Sequence, residues 1–147
     1  MLSNKKAKGK NKNMSYYKEA VKRKFADYEI EFTEHDNFFI TEIRGNNAPN
    51  IRIGIDFSSN TENLIQIASN DFIYVRNKKQ EVLEFLNQKH LEYRWFVFSI
   101  DGDGGVRCST DTYLSKENAE HEFATLFVKM IQIVDEFYPE LMKIVWG

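Results

Sequence analysis

The sequence holds a single cysteine, Cys108, so an internal disulfide is excluded. A lone thiol suits a reducing compartment, and a cytoplasmic setting is expected. Long apolar runs are missing as well: the longest, Phe72 to Val75 and Trp95 to Phe98, are four residues each, whereas a bilayer span takes about 20. No membrane segment is expected. The basic amino terminus leads into no apolar stretch or small-residue cleavage site of the kind a signal peptide needs, so that route of export is not expected either. Gly-x-Gly-x-x-Gly, the phosphate loop, Gly-x-Ser-x-Gly and His-Glu-x-x-His are all absent, which removes the common nucleotide-binding and hydrolase classes.

Acids are missing from the first thirteen residues, where Lys5, Lys6, Lys8, Lys10 and Lys12 fall together. Setting those lysines aside leaves fifteen bases against twenty-two acids in the rest of the chain. A domain that acidic repels phosphate backbones, so nucleic acid is expected to bind weakly at most, through the lysines. The same stretch has hardly an apolar side chain, and residues 1–14 read as a disordered basic tail ahead of one domain over 15–147. That domain has ample material for a core, with 12 Phe, 7 Tyr and 2 Trp in a chain of 147 residues.

Periodicity divides it further. Tyr17, Val21, Phe25 and Tyr28 recur at helical spacing behind Ser15 as N-cap. The period then shortens to that of strands over Tyr28 to Phe32, Phe39 to Ile43, Ile51 to Phe57 and Leu64 to Ala68. A second helix after Asn77 places Val82, Leu83, Leu86 and His90 on one side. Tyr93 to Ile100 and Val106 to Thr112 form a hairpin about the turn Asp101 to Gly105. A last helix, capped by Ser115 with Glu117 in its first turn, carries a wide apolar stripe from Ala119 through Phe123, Phe127, Met130 and Val134 to Phe137. Pro139 is expected to end or kink it. The predicted fold is α+β, an antiparallel meander sheet packed with three helices in the order α-β-β-β-β-α-β-β-α.

Several groups invite chemical readings. Asp101-Gly102-Asp103-Gly104-Gly105 has the alternating oxygens of a calcium loop, but Gly105 and Thr112 stand where ligands belong, and a glycine-rich turn is expected. His35, His90 and His121 lie at no metal-ligand spacing, so no metal and no cofactor are expected. Cys108 reads as a small buried hydrophobe, since nothing in the sequence beside it lowers a thiol pKa. Glu29 and Glu31 read as a solvated strand face. The strand Tyr93 to Ile100 is apolar on both sides, as is the run Phe38 to Ile43. The simplest arrangement covers both sheet faces with the chain's own helices; the alternative leaves a face for a second subunit or a client.

The run Val82 to Asn87, the aromatic stretch Arg94 to Ile100 with Asp101-Gly102-Asp103-Gly104-Gly105-Val106-Arg107, and the close Val134-Asp135-Glu136-Phe137-Tyr138-Pro139-Glu140-Leu141 resemble the YbjN-like family of proposed bacterial sensory transduction regulators. The likeness spans Asn77 to Leu141, and departs from the family at Gln88-Lys89-His90, where an Asn is usual. It implies a fold similar to type III secretion chaperones and brings no catalytic residues with it. The expectation is a non-enzymatic protein-binding or regulatory domain that meets a protein partner, or a second copy of itself as a homodimer, through Phe39, Trp95, Phe127 and the flank of the last helix. A small-ligand-binding sensory domain, with its pocket between the sheet and that helix, is the alternative.

Overall fold

The computed structural model describes the backbone of residues 2–59, 61 and 63–147, with side chains from residue 14 onward at those positions. Among these described residues the order is α1 (Leu2–Asp27), β1 (Phe32–Glu34), β2 (Phe38–Ile43), β3 (Ile51–Asp56), β4 (Leu64–Ser69), α2 (Lys79–Glu92), β5 (Val97–Ile100), β6 (Val106–Tyr113) and α3 (Ala119–Trp146). The fold is α+β. Every strand pairing is antiparallel, and the sheet runs β1-β2-β3-β4-β6-β5. Strand alternation sends Phe39, Ile53, Ile55, Ile65, Ile67, Phe98 and Cys108 to one face, where all are buried. The helices pack on that face, α3 across the middle strands, α1 along α3, and α2 over β5.

The core is dominated by α3, with Phe123, Phe127, Met130, Val134 and Phe137 all fully enclosed. Fully burying one such side chain contributes about 1.5–3 kcal/mol before entropy is subtracted, so this stripe is the chief apolar glue of the fold. Aromatic rings knit the layers. Phe25 of α1 meets Phe123 and Phe127 at 5.6 and 5.4 Å between centroids, and Phe98 of β5 meets Phe137 at 5.0 Å.

The starts of α1, β1, β5 and α3 differ from those the sequence suggests, β5 beginning at Val97 and not at Tyr93. Ser15 lies inside α1, whose backbone begins at Leu2; serine is only a mildly poor helix former, and no proline intervenes. The side chains of residues 1–13 lie outside the described residues, while Met14 is already buried in the core. β1 starts only at Phe32, because Tyr28 and Glu29 form a turn with Glu29 at φ 56°. The cap of α3 is Asn118, whose Oδ1 accepts from both the amide and the hydroxyl of Ser115 at 3.1 and 2.7 Å. On α2, Val82 and Leu86 are buried but Leu83 is exposed.

Pro139 neither ends nor breaks α3, which continues to Trp146. A proline at this position cannot donate to the carbonyl of Asp135, one turn earlier. That oxygen accepts instead from Asn47 Nδ2 at 3.4 Å, in the β2–β3 turn. The Asp135 carboxylate takes three backbone amides of the same turn, Asn46 at 3.2 Å, Asn47 at 2.7 Å and Ala48 at 2.8 Å. Its partial burial pulls its pKa upward, but the three amides outweigh this and hold it below the usual aspartate value. Gly45 opens the turn because a Cβ there would collide with this carboxylate.

Candidate functional site

The segment between α2 and β5 decides where Trp95 goes. Tyr93 closes α2 with its amide on Lys89 O at 2.9 Å, and its hydroxyl donates to Glu136 Oε2 of α3 at 2.7 Å. That hydrogen bond, aided by burial, pushes the Tyr93 pKa up to about 12, because the carboxylate favours the neutral phenol. Phe96 turns into the core. Between these two anchors Trp95 is driven outward, 80 % exposed and at φ 72°. A bulky side chain in the left-handed region is strained, and strain of that kind collects at functional sites. Beside it runs a groove of about 660 Å³ bounded by Lys24 of α1, Tyr28 of the turn after it, Arg94, and His121, Val128 and Lys129 on the outer flank of α3. Among the described residues no acid lines this groove.

Phe39 and Phe127 have no surface to offer a partner. Both are fully buried, Phe39 between Phe32 and Phe57 and Phe127 against Phe25 and Phe123. A Phe on an apolar strand and one on the central stripe of a helix carry the same sequence signal whether they face core or partner. Trp95 is the residue of the three that faces solvent, and it stands beside the α3 flank expected to bind with it.

Among the described residues the other sheet face carries no helix, so the arrangement with helices on both sides is not the one adopted. It is not flat. The β2–β3, β3–β4 and β4–β6 registers align Ile40, Gly54, Ala68 and Ser109 in one row across the strands. Gly54 and Ala68 form the floor of a groove of about 840 Å³, with Phe38 at one side and Phe72 and Tyr74 of the β4–α2 loop at the other. Arg107 projects into it, held by acceptors that carry no charge: Asn70 Oδ1 at 2.6 Å, Gln66 Oε1 at 2.7 Å and Ser109 Oγ at 3.4 Å. Gln66 in turn donates to Asp111 at 3.1 Å, placing an amide between the guanidinium and that carboxylate. The space between the sheet and α3, the expected site of a ligand pocket, is filled by the Phe stripe of α3. The cavity a ligand could use lies on the opposite side, and sequence reasoning missed it because its floor is defined by cross-strand register.

The glycine-rich turn joins β5 to β6 as expected. Asp101 Oδ1 accepts from the amides of Asp103 and Gly105, both at 2.9 Å. Asp71 of the β4–α2 loop faces Asp101, and that side-chain contact above all raises the Asp71 pKa, since two neighbouring carboxylates resist carrying charge together. Among the described residues no group of three or more His, Cys, Asp or Glu is placed to hold a metal. His90 accepts the Phe98 amide on Nε2 at 2.8 Å and stacks on its ring, a structural role. Burial pushes the Cys108 thiol up to about 12, far from a nucleophile's range. No described helix is long and apolar enough to cross a membrane. No family model matches the chain, and the curated proteins offer no match either.

Proposed function

We propose that this chain is a non-catalytic binding module of the cytoplasm, of the YbjN-like, secretion-chaperone-like kind, that takes a protein partner in the groove beside Trp95. The single observation behind this reading is the position of Trp95, held outward at φ 72° with 80 % exposure by anchors on either side. Tryptophan is the side chain most enriched among residues that carry binding energy, and a rigid loop delivers it without an ordering cost. The groove's lysines and arginine, with no described acid among them, suit an acidic partner segment. Self-association is the homodimeric form of the same reading.

The test is capture of partners on the full-length protein beside its Trp95→Ala and Trp95→Gly variants, with light scattering of each. Glycine relieves the left-handed strain, so Trp95→Gly is expected to melt no lower than the parent while losing the captured protein, or the dimer. Retention of every captured species by both variants would overturn the assignment.

A second reading, a small-ligand-binding sensory domain, is favoured by the groove on the open sheet face, whose volume of about 840 Å³ falls in the ordinary range of ligand sites.

A further inference from the structure

Gly54 sits in the interior of β3, where glycine weakens a strand for want of a side chain and through its greater freedom when unfolded. Nothing in the backbone asks for it. Its φ is not in the left-handed region, and a Cβ built on it would meet nothing nearer than the Phe39 carbonyl oxygen at 3.9 Å, an ordinary contact. Gly45, Gly104 and Gly105 differ, for each would bring a Cβ against backbone or a carboxylate. What Gly54 provides is space on the open face, and its register neighbour Ala68 continues it.

That space is overlooked by a cation without a countercharge. Arg107 forms no ion pair among the described residues, and its three hydrogen bonds, one from each nitrogen, leave a donor free on both terminal nitrogens. Neutral partners that fix a guanidinium while leaving its charge unspent make a preorganised fork for an oxyanion. Phe72 and Tyr74 on the adjoining wall offer flat apolar faces. Arg52 lines the groove as well, with the acids Glu42, Asp56 and Asp71, a balance that disfavours a dianionic phosphate and suits a single negative charge.

We propose that the open sheet face binds a small organic carboxylate, its carboxyl group on Arg107 and its flat body over Gly54 and Ala68. This rests on the ligand-binding reading above and assigns its site and chemical class. The experiment titrates ¹⁵N-labelled full-length protein with benzoate, benzamide and inorganic phosphate, following the backbone amides and the Arg107 Nε–H by NMR. Benzoate is expected to shift Gly54, Ala68 and Arg107, with benzamide at least about tenfold weaker because it loses the charge-assisted pair, and phosphate at least about tenfold weaker because it has no flat body and meets the acids of the groove. Arg107→Gln should weaken benzoate by a similar factor, and Arg107→Lys by less. Gly54→Val should abolish the shifts while raising the melting temperature; Gly54→Ala serves should the larger side chain disturb the sheet.

Benzamide binding as well as benzoate, or phosphate binding more tightly, would overturn the carboxylate class and leave the groove reading intact. No shift in the groove with any of the three would overturn both. Undiminished benzoate binding by the Arg107→Gln or Gly54 variants would remove the site from this face.

Discussion

Tyr93 shows how much one hydroxyl can set. Its bond to Glu136 ties the α2–β5 connection to α3, and Trp95 owes its outward position to that tie. The phenol ionises near 12 in the folded chain, against an ordinary value near 10. A group whose folded pKa is raised contributes stability in full below the unfolded value, and loses it as pH climbs through the folded one. Denaturant melts of the parent are therefore expected to lose stability between about pH 10 and 12 more steeply than those of Tyr93→Phe. Parallel curves for the two proteins would contradict this. The sequence made Trp95 conspicuous and left Tyr93 as one more aromatic, because the hydroxyl's partner lies 43 residues away on another element.

Elements meet most informatively where α3 passes Pro139. The helix survives because the β2–β3 turn supplies a side-chain donor to the carbonyl that the proline leaves open, while the Asp135 carboxylate satisfies three amides of that turn. Asp135→Asn keeps one acceptor oxygen and loses the charge, and is expected to cost on the order of 1–3 kcal/mol in chemical denaturation, toward the lower end given partial exposure. The carboxyl's depressed pKa fixes the sign with pH: its contribution is complete above the ordinary aspartate range and vanishes as the pH falls through the folded value. The difference between parent and variant should then narrow in acid, and a difference independent of pH would exclude the charge. Local propensity places a helix stop or kink at Pro139, and the helix runs on past it. The exception is tertiary, written in Asn47 and Gly45, which no reading of the helix alone includes.

Across the whole molecule, the order of elements is legible because apolar period changes from helical to strand spacing at nearly every boundary. Which face a strand presents to the core is legible where it alternates, as over Ile51 to Phe57; it is not over Phe38 to Ile43, where Phe38, Phe39 and Ile40 read the same against a core, beneath a helix or beside a groove. The division into core and surface has an energetic signature. Phe127→Ala removes a ring enclosed on every side and is expected to cost about 3–5 kcal/mol, a large fraction of the roughly 5–15 kcal/mol that holds a domain folded. Trp95→Ala, stripping an exposed ring, should shift the urea midpoint little. Comparable losses in the two variants would mean that Trp95 is packed in solution.

The route of the chain through the sheet leaves β4 waiting. Its neighbour β6 is drawn from beyond α2 and β5, and the partners Gln66 and Asp111 stand 45 residues apart. As the polypeptide leaves the ribosome, β1 to β4 can zip into a meander with Ile65 and Ile67 already aligned and one long edge bare. At about 5–20 residues per second, that edge stays open for seconds before its cover arrives. Were β1 to β4 to pair as they emerge, a half-finished ribbon would precede the complete sheet, and a chaperone would meet it there.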